Sequence, residues 1–496
     1  MVYSTKTKGD EAPMNSVIAL DQSTAGTKAA LLDHEGRIRQ VISKAHRQMH
    51  PAPGRVEHDA EEIWQNTLAL LTEIAKDTKP GDILGLGVAN QRETTVLWDR
   101  QTGKPVTPAV VWQDVRAKGL TDGMQADAAE IEKRTGLRLS PYYSAAKAAA
   151  VLREQPALYK RAERGELCIG TVDSYLLYRL TNGAVFATDV SNASRTQLMR
   201  LETLTWDAEI AGWFGLPLSA LPERILMSDA DFGQITAIPA LRGVPIAAAM
   251  GDSHASFFGH GCTEPGMVKT SYGTGSSIML NVGEKPLRSA HGLSSCVGYG
   301  KAGKVCYVLE GNITCSADTL IWLKDELQLI RGMDELALAQ TVPDTQGVYL
   351  VPAFAGLGAP WFDENARAIL CGMNRGTGKA HILRAALESI AHQNADVLDA
   401  MQMDTGAPVR FLSADGGSSV NALLMQIQSN LIPCRVRVSA EKELTLYGVG
   451  RMALERLVPG ACAAARIPAV EYNPELGEDE RLTQRAGWRD ALKRCR

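Results

Sequence analysis

Short apolar runs closed by glycine-rich turns alternate along this chain with longer segments whose apolar positions recur every three to four residues. Residues 17–32, VIALDQSTAGTKAALL, carry two apolar runs around a Ser-Thr-Ala-Gly turn. That pattern predicts two antiparallel strands, and DHEGRI predicts a further hairpin. In HDAEEIWQNTLALLTEIAKD, Ile63, Leu70, Leu71 and Ile74 share one helical face, and Asp59 and Glu62 have capping-box spacing. A helix is expected to start there. ILGLGVANQ (83–91) predicts a buried strand that meets Gln-Arg-Glu, and VTPAVVWQD (106–114) predicts another, ending on Trp112.

The second half repeats this opening. VKTSYGTGSSIMLNVGEK (268–285) again reads strand, Gly-Thr-Gly turn, strand, so that Thr24 and Thr274 hold corresponding turn positions. FLSADGGSSVNALLMQIQ (411–428) predicts a strand, a glycine-rich turn and a helix. The most periodic segment is 381–403, where Leu383, Leu387, Ile390, Asn394, Val397, Leu398 and Met401 form a stripe expected to pack in a core. The chain therefore reads as two βα domains that meet near 255–265. With no low-complexity linker between them, close packing about a hinge is expected.

Composition narrows the classes. A length of 496 residues favours two large domains over one core. A net charge of −4 supplies no field for nucleic acid or an anionic membrane. No stretch approaches the ~18 apolar residues a membrane helix needs. The N-terminal segment is polar, without a signal-peptide core, and the expected location is cytoplasmic. The nine cysteines are scattered singly without a C-x-x-C pair, which argues against a disulfide framework or a zinc site. The basic cluster at Arg485–Arg496 is interrupted by acids and is expected to be a solvated helix face.

Candidate chemistry lies at the turns. Glycine- and threonine-rich turns expose backbone N–H groups that suit phosphate oxygens, and a helix start behind glycines, as in ADGGSS, favours an anion or a nucleotide. One such turn means little, since most hold nothing. Two corresponding turns plus ADGGSS carry more weight. Neither a P-loop nor a Rossmann fingerprint occurs at a suitable junction. Asp21 ends the first strand, where it reads either as an Asx-turn residue or as a Mg²⁺ ligand, and Lys28 would add positive charge nearby. Arg92 and Glu93 follow a buried strand, where open α/β sheets place ligand groups, although such pairs are often plain surface ion pairs. Asp252 follows a glycine and precedes a helix, so an N-cap is its simplest reading. His254 and His260 read as structural.

LDQSTAGTKA, VANQRETTVLWD, GTVDSYLLYRLT, TDVSNASRT, SYGTG, GVYLVPAFAGLGAPW, AILCGMNRG and ADGGSSVN, in this order from about residue 16 to 460, resemble the FGGY carbohydrate kinases. Within that family they are most similar to the glycerol kinase branch. The resemblance implies an α/β, duplicated actin-like (ribonuclease H-like) two-domain fold with an interdomain cleft. Residues 16–260 would bind the polyol, 261–460 the nucleotide, and 461–496 would form a helical extension. It implies transfer of a phosphoryl group from ATP, with Mg²⁺, to a terminal hydroxyl of a small polyol, glycerol first among them. Asp252 would be the general base. Arg92, Glu93, Trp112 and Tyr142 would line the polyol site. Thr24, Thr274 and Gly275 would meet phosphates, Gly417 and Asn421 the adenosine, and Asp21 the metal. A homodimer is compatible with this reading.

The sequence also departs from that branch. Lys28 stands in place of an arginine, keeping the charge but losing the planar fork. Ala317 and Ile321 replace a glycine and a glutamine near the nucleotide. Ser253 and Ser277, at substrate positions, replace a glutamine and a phenylalanine and remove volume on one side of the pocket. The alternative substrates are therefore a tetritol, a pentitol or a ketopentose. A third reading, a nucleotide-driven binding protein of the actin and heat-shock type, has no need of QRET, Trp112 and Asp252.

Overall fold

A computed structural model describes residues 3–6, 15–76, 78–79, 81–462 and 467–496. Two sheets organise it. In the first, six strands run in the order Tyr3–Lys6, Ile38–Ala45, Gly26–Leu32, Ser16–Gln22, Ile83–Asn90, Ile246–Gly251. The second has seven: Ser294–Lys301, Lys304–Ile313, Ser276–Gly283, Met267–Tyr272, Phe411–Asp415, Arg435–Ser439, Ala469–Tyr472. The predicted repeat is visible in the pairing. Ser16–Gln22 pairs antiparallel with Gly26–Leu32 and parallel with Ile83–Asn90. Met267–Tyr272 likewise pairs antiparallel with Ser276–Gly283 and parallel with Phe411–Asp415. Each parallel connection carries helices that cover the sheet, and in the first sheet Ser16–Gln22 and Ile83–Asn90 read as nearly continuous apolar runs.

The expected helix runs Ala60–Ala75, with Asp59 accepting from the Glu61 and Glu62 backbone amides. The periodic segment is the helix Lys379–Thr405, and its predicted stripe is buried throughout. Helix Leu444–Leu457, late in the chain, packs instead on the first sheet: Val449, Met452 and Ala453 join Val17, Ala19, Ala30 and Ala247 in one core. Glycines permit that approach. A Cβ on Gly87 would lie 2.5 Å from the Val449 carbonyl oxygen, and one on Gly448 would strike the Ala255 carbonyl. Among the described residues, no helix is long and apolar enough to cross a membrane.

Two expectations need correction. Within 106–114 only Ala109–Val110 forms a strand. Pro108 cannot donate to a ladder, and the Asp114 amide turns back onto the Val111 carbonyl. The basic C-terminal segment is a helix, Glu478–Cys495, but its inner face is buried, and strand Ala469–Tyr472 before it joins the second sheet. Arg485 pairs with Asp396 at 2.6 Å and with Asp399 at 2.8 Å. The Trp488 indole N–H donates to Asp396 at 2.8 Å, and its ring stacks on His392. Trp488, Ala491, Leu492 and Cys495 have the helical spacing of a short apolar stripe that the surrounding charges obscure.

Removing one partner of a buried ion pair leaves the other charge uncompensated, at a cost of ~3–5 kcal/mol. Asp396 keeps two indole donors, from Trp361 and Trp488. Arg485→Met is therefore expected near the lower end, about 3 kcal/mol. Thermal or urea unfolding would read this, and an unchanged midpoint would reduce the pair to a surface contact.

Candidate active site between the two sheets

The first turn, the strand end at Asn90 and the helix Asp252–Gly259 all emerge at the same end of the first sheet. There the sequence-predicted residues divide into two groups.

The first group surrounds Asp252. Its carboxylate lies 3.5 Å from Arg92 Nε and accepts from the Ser253 amide at 2.6 Å. Arg92 in turn pairs with Glu310 at 2.9 Å, and Arg195 pairs with Glu310 at 3.0 Å and with Glu93 at 2.6 Å. These four charges form an alternating network, all nearly fully buried. Glu93 holds a φ of 59°, a conformation side chains rarely adopt. Its carbonyl accepts from Ser144 Oγ at 3.1 Å, so the surroundings hold the conformation in place. The Tyr142 ring lies under the Arg195 guanidinium and packs edge-on against Trp112, with centroids 5.9 Å apart. Both rings are half-buried, as an apolar wall facing a cleft would be. The Trp112 indole donates to Thr24 Oγ1 at 2.9 Å, which ties this wall to the first turn.

Asp21 is buried, and its Oδ1 has no hydrogen-bond partner among the described residues. Burial, together with the Asp252 carboxylate, pushes the Asp21 carboxyl up to about 8 against the opposing charge of Lys28. Lys28 is not a free charge, because it pairs with Glu443 at 2.8 Å. Asp21, Asp252 and Glu443 thus present three carboxylates against one lysine. Burial also raises the Asp252 carboxyl above its ordinary value, with Arg92 opposing. Glu310 goes the other way: burial works against its charge, but Arg195 and Arg92 outweigh it and hold the group well below the usual range.

The second group is on the second sheet. Gly273, Thr274 and Gly275 form the turn after Met267–Tyr272. The Thr274 carbonyl accepts from the Ser316 amide at 2.8 Å, which seats Ala317, Ile321 and the helix Asp318–Asp325 beside this turn. Gly416, at φ 91°, passes so close to Tyr272 that a Cβ would lie 2.6 Å from its carbonyl oxygen. The turn holding Gly417 therefore abuts the Thr274 turn. Asn421 caps helix Ala422–Leu431, its side chain accepting from the Leu424 amide. Ser277 lies directly across from Asn312 in the ladder, and Asn312 Nδ2 donates to Glu310 Oε1 at 3.1 Å. This places Ser277 on the sheet face that carries the charge network.

Arg195, Glu310 and Glu443 were not singled out from the sequence. For Glu310 a signal existed, since it is the lone acid inside the apolar run of strand Lys304–Ile313. His254, Cys296 and Glu310 bring potential ligand atoms within 4.8 Å of one another. Both guanidiniums already engage Glu310, which leaves that trio poorly suited to a cation.

Known proteins resemble this chain over nearly its whole length. The model of the FGGY family of carbohydrate kinases matches over residues 16–259 with its N-terminal domain and 268–454 with its C-terminal domain. A glycerol kinase of Alkalilimnicola ehrlichii is 42% identical over 488 residues, spanning 97% of this chain and 98% of that one. One from Carboxydothermus hydrogenoformans is 41% identical over 492 residues, spanning 97% and 98%. The crystal structure of Plasmodium falciparum glycerol kinase with ADP superposes with a TM-score of 0.92 at 32% identity, covering 98% of this chain and 99% of that one. A ligand-bound xylulose kinase of Lactobacillus acidophilus, 21% identical with a TM-score of 0.86 and covering 96% and 98%, shares the fold. Both domain models over nearly the whole length, with glycerol kinase relatives at about 40% identity, establish a kinase whose family implies ATP use, and the chain belongs to the FGGY family of carbohydrate kinases.

Proposed function

We propose that this enzyme transfers the γ-phosphoryl group of ATP to a terminal hydroxyl of glycerol, giving glycerol 3-phosphate, with Asp252 as the general base. The observation that carries the reading is the half-open carboxylate of Asp252, 31% exposed, beside Arg92 in a cleft walled by Trp112 and Tyr142. A polyol needs an apolar wall for its carbons and paired donors and acceptors for its hydroxyls, and Arg92 and Glu93 supply the latter. Burial raises the proton affinity of Asp252, which suits it to accept the hydroxyl proton as the oxygen attacks the γ-phosphorus. The bond to the β–γ bridging oxygen then breaks and ADP leaves. Phosphoryl transfer otherwise needs mainly positioning and charge stabilisation.

Nucleotide phosphates fit the turns at Thr24 and at Thr274–Gly275, and adenosine fits the turn of Gly417 and Asn421. The unpartnered buried oxygen of Asp21, facing two further carboxylates, suits a hard divalent cation, so Asp21 is assigned to Mg²⁺. Bound there, Mg²⁺ would neutralise charge on the phosphates. Asp21→Asn is expected to raise the Mg²⁺ required for half-maximal rate by about tenfold and to lower kcat. Glycerol binding without nucleotide should hardly change. An unchanged Mg²⁺ titration would return Asp21 to the role of a turn residue.

ADP release measured with and without glycerol tests the main reading, and no glycerol-dependent release would sink it. A second reading, in which a four- or five-carbon polyol or ketose is the better substrate, is favoured by Ser277. Its hydroxyl is buried without a partner among the described residues.

A further inference from the structure

Asp415 belongs to neither group above, yet it touches both. It ends strand Phe411–Asp415 and immediately precedes Gly416, whose backbone fixes the turn assigned to adenosine. Its carboxylate oxygen Oδ2 accepts from Ser256 Oγ at 2.6 Å and from His260 Nε2 at 2.9 Å. Ser256 lies on the helix Asp252–Gly259, and His260 caps its end. Asp252, Ser256 and His260 recur every four residues, so they follow one face of that helix. The helix that carries the base is therefore docked, along the base's own face, onto the strand that leads into the nucleotide turn.

A third group completes the arrangement. Lys269 lies on the neighbouring strand Met267–Tyr272, is fully buried, and has no hydrogen-bond partner for Nζ among the described residues. The charges facing it are Asp415, Arg92, Asp252 and Glu310. Burial opposes the charge of Asp415, but Lys269 and the two hydrogen bonds from His260 and Ser256 outweigh it and hold the carboxyl well below its usual range. Burial lowers the proton affinity of Lys269, with Asp415 opposing, and a buried acid near a buried lysine is weak evidence for added stability, because desolvation offsets most of the attraction. Its position, between the nucleotide turn and the helix of Asp252, suits a mechanical link.

We propose that Asp415 is a positioning residue that couples the adenosine turn to the Asp252 helix, so that a bound nucleotide orients the base over the polyol. Two discrete contacts, Ser256 and His260, transmit the position of the turn to the helix. The proposal rests on the reading of Asp252 as the base, and the experiment separates the two. Calorimetric titration of glycerol into the protein, with and without saturating ADP, gives the coupling between the sites directly. Wild type is expected to bind glycerol at least about fivefold more tightly with ADP, within the usual range for linked sites.

Asp415→Asn keeps the shape but loses the charge opposite Lys269. It should reduce the coupling to less than about twofold and lower kcat by about 10–100-fold, as expected when a reacting group is slightly misplaced. The affinity for glycerol alone and for ADP alone should stay within about threefold, a split that general loss of structure would not produce. The double variant Ser256→Ala/His260→Gln leaves Asp415 in place and should give the same loss of coupling, so the test survives if Asp415→Asn fails to fold. Asp252→Asn, by contrast, should lose turnover and keep the coupling. If Asp252→Asn kept its turnover, the base assignment would fall while the coupling measurement still judged Asp415. An uncoupled wild type, or a folded variant of either kind that retains full coupling, overturns the proposal.

Discussion

Asp252→Asn is expected to lose about 10²–10⁴-fold in kcat, the usual cost of removing a general base. The substitution keeps the side chain's size and one oxygen able to accept from the Ser253 amide. The Arg92 guanidinium remains held by Glu310 at 2.9 Å, so the charged surroundings of Asp252 keep their geometry. Glycerol and ATP should therefore bind nearly as before, and the loss should appear in kcat and kcat/KM together, as for an interaction made only in the transition state. Single-turnover kinetics with saturating ATP would isolate the chemical step. A variant retaining more than a tenth of wild-type turnover would show that the proton leaves by another route, and Asp252 would become a helix-start residue.

The parts of this site readable from sequence are those whose chemistry is local. A strand, a Gly-Thr turn and a strand announce themselves through alternation and glycine, and both copies fold as expected, at Ser16–Leu32 and Met267–Gly283. Asp252 and the Arg92–Glu93 pair sit at strand ends, where side chains must leave the sheet. Residues that act across long sequence separations gave no signal of their partners, even where, as at Glu310, a lone acid in an apolar strand stood out. Arg195, which follows the short helix Val190–Ala193, meets Glu310 of the second sheet only once the chain has folded, and nothing near either residue encodes the other. The left-handed backbone of Glu93 carries no glycine to mark it. Lys28 looked available for phosphate because Glu443, more than four hundred residues away, is invisible as its partner until the chain folds. The C-terminal helix misled for a different reason. Its charges outnumber its apolar residues, and its stripe of Trp488, Ala491, Leu492 and Cys495 becomes persuasive only beside the Asp396 carboxylate it covers.

On the second reading, in which a longer polyol or ketose is the better substrate, Ser277 is the residue that would select it. In the strand Ser276–Gly283 it stands opposite Asn312, whose amide binds Glu310, the carboxylate that holds Arg92. The Ser277 hydroxyl is buried with no partner among the described residues, and an unmade buried hydrogen bond is costly. A further substrate hydroxyl would supply that bond. If, as the resemblance implies, the glycerol kinase branch carries phenylalanine here, this chain also offers less apolar contact on the same side. Packing around one methylene is worth ~1–3 kcal/mol, or roughly 10–200-fold in discrimination. At least one of erythritol, threitol and the ketopentoses is therefore expected to match or exceed glycerol in kcat/KM. Ser277→Phe should move the ratio toward glycerol by an amount in that range, by refilling the space and removing the unpaired hydroxyl. Overpacking is the competing outcome, and it would lower kcat/KM for every substrate alike rather than change their ratio. Side-by-side kinetics of both proteins on this panel decide the matter. If wild type strongly prefers glycerol and Ser277→Phe leaves that preference unchanged, the side chain at this position does not select the substrate, and the pocket is closed to longer chains by other residues.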